Sequence, residues 1–115
     1  MAENSEQAAV SDEAVASAAA SAALKTSGVY SLLAGVTETI QESILGKTIE
    51  APGVKISRNG EHVKIDVSLV IEYGYQIPSV AWNIQKNVKR QVEQLGEISV
   101  DSVDVHVQKI YFNIE

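Results

Sequence analysis

The chain of 115 residues has no cysteine, two prolines, one methionine and few aromatics: one Trp, one Phe and four Tyr. Without cysteine there is no disulfide framework, no thiolate zinc site and no cysteine nucleophile. Cationic residues are also scarce. Nine Lys and Arg stand against fifteen Asp and Glu, for a net charge of −6. A free-standing nucleic-acid binder carries a basic surface, and adsorption to anionic lipid needs one too, so this balance argues against both. No apolar run reaches the ~20 residues of a membrane span. The opening "MAENSEQAAV" is acidic and lacks the basic and Leu-rich parts of a secretory signal. The expectation is a cytoplasmic protein with no direct membrane insertion, brought to a membrane only peripherally and through a partner.

What is present suffices for one core: 45% of the residues are hydrophobic. Residues 1–10 read as a flexible tail. Ser11 is a candidate N-cap, with Asp12 and Glu13 in the first turn, where the helix dipole favours carboxylates. The run "SDEAVASAAASAALKTSG" has high helix propensity, and Val15, Ala18, Ala19, Ala22 and Ala23 give it a smooth face. Gly28 is its expected stop. Leu33, Val36, Ile40 and Ile44 are spaced three and four apart, which suggests a short second helix in a variable helical or loop segment over 30–50. Pro52 and Gly53 then form a linker.

From Val54 the period becomes two. Asn59-Gly60 predicts a hairpin with a type I′ turn, Arg58 opposite Glu61, Ile56 opposite Val63 and Lys55 opposite Lys64. Val63, Ile65, Val67, Leu69, Ile71 and Tyr73 make a buried face; His62, Lys64, Asp66, Ser68 and Glu72 make a wet one. Pro78 opens the next helix, whose expected core stripe is Ile77, Ala81, Ile84, Val88, Val92 and Leu95. Gly96 ends it. In the last strand Val103, Val105 and Val107 alternate with Asp104, His106 and Gln108, after which Ile110, Phe112 and Ile114 take the other parity. A bulge near Gln108–Lys109 reconciles the two runs. The order α-(α)-β-β-α-β describes an α+β domain of two layers over 11–112, with helices on one face of a small mixed three-stranded sheet and 113–115 as the C-terminal end.

Few motifs carry chemistry. "GKT" at 46–48 lacks the glycine five residues earlier that a phosphate loop needs; Gln41 stands there. His62, Asp66, Asp104 and His106 share the polar sheet face but are spread along their strands, so ordinary solvated side chains explain them better than a metal site. Ser68 among them lacks the strained turn and oxyanion donors of a nucleophile. Trp82 is different. At 100° per residue it points about 130° away from the core stripe, with Lys86, Lys89 and Glu93 beside it. Lys86, four residues on, can lie against the indole. Trp82, Lys86, Lys89 and Glu93 are therefore the candidate partner-binding face, unless the first helix or the 30–50 segment covers the ring.

The stretches "VIEYG", "IPSVAWNIQKNVKRQVE" and "VDVHVQ", with the upstream "VSDEAVASAAASAALKTSGVYSL", occur in an order that resembles the alkaline shock protein, or general-stress envelope protein, family of Gram-positive bacteria. The resemblance covers about residues 10–112. It implies a small non-enzymatic protein of cell-envelope stress or homeostasis, with no catalytic residues and no cofactor, held in some members by a separate membrane anchor protein. The leading expectation is an interaction or scaffold protein that docks a protein partner. The alternatives are a KH-like RNA-associated domain, opposed by the charge and by the lack of a Gly-x-x-Gly loop, and a metal-binding or enzymatic role on the His/Asp sheet face. A homo-oligomer formed edge to edge through "KIYFNI" is a further option.

Overall fold

A computed structural model describes residues 10–33, 49–51 and 53–112, with side chains described in the first and last of these stretches. Helix α1 spans Asp12–Leu24. Strands β1 (Val29–Leu32), β2 (Ile49–Ala51), β3 (Val54–Asn59) and β4 (His62–Glu72) follow. Helix α2 (Ile77–Glu93) and strand β5 (Ser99–Tyr111) complete the order. The fold is α+β, with α1 and α2 on one face of a mixed sheet.

That sheet has five strands where the sequence pattern gave three. β4 is its axis. On one side β3 and β1 lie end to end along it, both antiparallel: β3 against residues 62–67, β1 against 69–71. β2 extends the sheet beyond β3. On the other side β5 runs parallel to β4 along its whole length, and α2 makes the crossover. The 30–50 segment thus begins and ends in extended chain. β1 forms because Val29 and Leu32 can join the apolar face of β4 opposite Ile71 and Leu69. Leu33, expected to open a helix, instead donates its N–H to Ser68 O at 2.9 Å. Val36, Ile40, Ile44 and the 46–48 motif lie outside the described residues.

Two local features make this path possible. Gly28 has φ +97°, and a Cβ there would stand 2.8 Å from Val80 Cγ2 and 2.9 Å from the Tyr75 ring, so no larger residue fits between α1 and β1. Ser11 caps α1 as expected: its hydroxyl accepts the Ala14 N–H at 3.0 Å.

The hairpin differs from expectation by two residues. Asn59 faces His62, Ile56 faces Ile65 and Lys55 faces Asp66. Gly60 alone in the turn has positive φ, +67°; Asn59 and Glu61 do not, so the signs are those of type II′ with Gly at the first central position. The shift keeps every side chain on its expected face and removes the Lys55–Lys64 clash.

The core lies between the helices and the sheet. β4 contributes Val63, Ile65, Val67, Leu69 and Ile71; α1 contributes Val15 and its alanines. Tyr73 lies past the end of β4 and is 69% exposed. The stripe of α2 is Val80, Ile84, Val88 and Val92. Ile77 and Leu95 are both 40% exposed, because one is the first residue of the helix and the other lies beyond its last. Ala81 is half-buried beside the stripe. In β5 the register slips between Val107 and Lys109, the bulge the parity change called for, and slips again between Val100 and Ser102.

Candidate docking face

α2 places Trp82 on its outward side, off the core stripe and 59% exposed. Neither α1 nor any other described element covers it. Lys86 lies one turn on, its Nζ 5.6 Å from the ring centroid, within cation–π range. These two residues form one outward-facing unit.

The other two residues of the expected face do something else. Glu93 Oε2 accepts the backbone N–H of Val100 at 2.9 Å. Lys89 Nζ lies 3.5 Å from the same carboxylate oxygen and 3.4 Å from Val100 O. Both groups therefore hold the start of β5. Gln85, which sequence reasoning passed over, belongs with them: its Nε2 donates to Val103 O at 3.0 Å. The signal was available, since Gln85, Lys89 and Glu93 recur every four residues along one helix flank.

The polar sheet face carries two separate His–Asp pairs. His62 Nδ1 lies 3.0 Å from Asp101, and His106 Nε2 lies 3.0 Å from Asp66. Each pair joins β4 to β5. The hydrogen bond and charge of Asp101 raise the His62 pKa above its usual 6.5, with Glu61 adding less, so His62 is not the unperturbed imidazole the sequence suggested. Asp104 stays outside both pairs. Among the described residues no three His, Asp or Glu side chains converge as metal ligands, and Ser68 makes no bond to either imidazole.

A second feature went unread in the sequence. All four tyrosines and the phenylalanine gather at the far end of the sheet, while Trp82 stands apart on α2. Tyr30 stacks on Tyr111 with centroids 3.9 Å apart, and Tyr73 stacks on Phe112 at 4.7 Å. The Tyr30 hydroxyl, hydrogen-bonded to that of Tyr111, and the charge Tyr30 carries when ionised raise the Tyr111 pKa. Aromatic stacking across three separate segments leaves no periodic trace.

Comparison with known proteins agrees with the resemblance noted above. The model of the alkaline shock protein 23 family, of cell envelope-related function, matches residues 1–112. The chain belongs to that family. Protein YloU of Bacillus subtilis (strain 168) is 34% identical over 107 residues, covering 88% of this chain and 85% of that protein. Protein YqhY of the same strain is 26% identical over 104 residues, covering 90% and 76%. Spy1614 of Streptococcus pyogenes serotype M6 is 31% identical over 103 residues, covering 88% and 84%. Among solved structures, a MamM CTD is similar at a TM-score of 0.49, with 16% identity and 84% of this chain covered. As a family member the chain is related to the cell envelope, and among its described residues no helix is long and apolar enough to cross a membrane.

Proposed function

We propose that this family member is a non-enzymatic interaction module of cell-envelope homeostasis, and that it docks a protein partner through the Trp82–Lys86 face of α2. One observation carries the reading: the chain's only Trp is 59% exposed while the core beneath it is complete. An exposed indole has a solubility cost unless something covers it, and Trp is enriched where partners bind most tightly. Lys86 supplies a cation suited to an acidic or amphipathic partner. Lys89 and Glu93 support this face by fixing α2 against β5. A cytoplasmic setting, with the envelope reached through a membrane-anchored partner, follows from this reading and from the acidic composition.

Fluorescence of the purified protein tests it. Trp82 emission near that of free indole, quenched readily by iodide and shifting blue when the partner binds, supports the reading. Blue emission in a confirmed monomer removes it. Trp82→Ala should weaken partner capture at least tenfold, since truncating a binding hot spot costs about 2 kcal/mol or more.

A further inference from the structure

The outer edge of β5 divides into two halves. Ser99 donates its N–H to Glu61 O at 2.7 Å, so its backbone faces inward, toward β4. Strand alternation then turns Val100 outward, and the bulges reset the alternation so that Val103, Val105, Val107 and Ile110 also present their backbone outward. Side chains of α2 occupy the first half: Glu93 and Lys89 at Val100, Gln85 at Val103. Among the described residues nothing meets the outward groups of Val105, Val107 and Ile110. A strand of 13 residues with half its edge open is a template for another strand.

Trp82 belongs to the helix flank that runs beside that open half. Residues 82, 85, 89 and 93 fall within about 80° of one another around the helix at 100° per residue. They share the flank that faces the β5 edge. α2 runs opposite to β5 here, because Glu93 meets Val100 while Gln85 meets Val103. Trp82 is three residues further along, about 4.5 Å, which carries it past Val103 toward Val105.

We propose that the occupant of this edge is a second copy of the chain, its β5 added antiparallel about a twofold axis at His106. The proposal rests on the reading of the Trp82 face as a docking surface and names its partner. Two observations select the second copy and the register. A twofold axis at His106 brings together the open backbone groups of Val105 and Val107, and reaches Val103, whose carbonyl already accepts from Gln85, only at its end. It also gives self-complementary rows. On the helix side Val105 meets Val107 of the partner subunit, and Val103 meets Ile110 of the partner subunit. On the polar side the Gln108 bulge brings Asp104 opposite Lys109 of the partner subunit, twice by symmetry. Within one chain neither Asp104 nor Lys109 makes an ion pair among the described residues. Each His106 at the axis stays on its own Asp66. The two Trp82 rings then close over the joint.

Sedimentation equilibrium of the full chain, from low to high micromolar, tests this. A concentration-dependent dimer is expected. Val107→Pro removes an outward N–H that the monomer's own sheet does not use, so its circular dichroism should match the parent while dimerisation weakens at least tenfold. Asp104→Lys alone should weaken the dimer, and Asp104→Lys with Lys109→Asp should restore it, because the reversed charges meet again across the axis. A monomer at every concentration overturns the second copy as occupant, as does a dimer indifferent to Val107→Pro and to the charge exchange. The proposed docking face is judged separately. If the chain is monomeric but Trp82→Ala still abolishes capture of a different partner, that face stands and only its occupant was wrong. If the dimer forms as drawn and Trp82→Ala changes neither dimerisation nor capture, the edge stands and the Trp82 face falls.

Discussion

The two helices cover one sheet by opposite means. α2 fills its stripe with Val80, Ile84, Val88 and Val92, side chains that remove much apolar area from water. α1 presents Val15 and four buried alanines, which bury little area but let the helix approach α2 and the sheet closely. Polar contacts hold α1 where area does not. Arg58 Nη1 reaches Val10 O at 2.6 Å and Asp12 at 2.9 Å, while its Nε donates to Gly60 O at 3.1 Å. At the other end Asn87 Nδ2 donates to Thr26 Oγ1 at 2.9 Å, and that hydroxyl donates to Ala22 O. One helix supplies the core, and the other is clipped on at both ends.

If this contrast is right, removing volume should hurt α2 most and adding volume should hurt α1. Ile84→Ala should cost about 2–5 kcal/mol in denaturant unfolding, since the fully buried side chain leaves a cavity. Ala19→Leu should cost about 1–3 kcal/mol by overpacking the close approach, although it adds apolar area. A stabilised Ala19→Leu variant would show that α1 has room and that the contrast is false. Ser11→Ala should cost about 1 kcal/mol through loss of the cap. Trp82→Ala should leave the melting temperature of the monomer nearly unchanged, since the ring joins neither helix to the core.

The smallest effect concerns pH. The His62 pKa is raised, so the His62–Asp101 attraction is fully present below about pH 6.5 and fades as pH rises through the higher folded value. An NMR titration should place the His62 midpoint above 6.5, and Asp101→Asn should lower it. Both groups are exposed at the surface, so the stability change should be slight.

How much of this was legible depended on the kind of signal. The alternation along β4 and the stripe of α2 come from a burial asymmetry repeated many times, and both read correctly in outline. The hairpin register did not, because alternation has period two and a shift of two residues leaves every face unchanged. Only the charges discriminate: Lys55 opposite Lys64 should have been rejected in favour of Lys55 opposite Asp66. The bulge at Gln108 was visible as a parity change from Val107 to Ile110. The one at Asp101 had the same mark, Val100 and Val103 three apart, and was overlooked. β1 and β2 were missed because strands of four and three residues are too short to show a period and form only against neighbours already in place. On α2 the exposure of Trp82 and the place of Lys86 beside it were legible from helix geometry. The hold of Lys89 and Glu93 on Val100 depends on a strand that returns in space, which helix geometry alone does not reveal.

The clips on α1 also bear on how the protein comes into being during synthesis. α1 leaves the ribosome ahead of its partners, which come much later in the chain. Arg58 lies 48 residues after Val10, and Asn87 lies 61 residues after Thr26. At ~5–20 residues per second, the nascent α1 waits about 3–12 s between its own emergence and that of Asn87. An isolated helix of 13 residues is marginal in water, so for those seconds the segment is a fluctuating, alanine-rich coil. Its small side chains give chaperones and neighbouring chains little to grip. The composition that makes α1 a weak contributor to the finished core makes it a safe one to translate ahead of its partners.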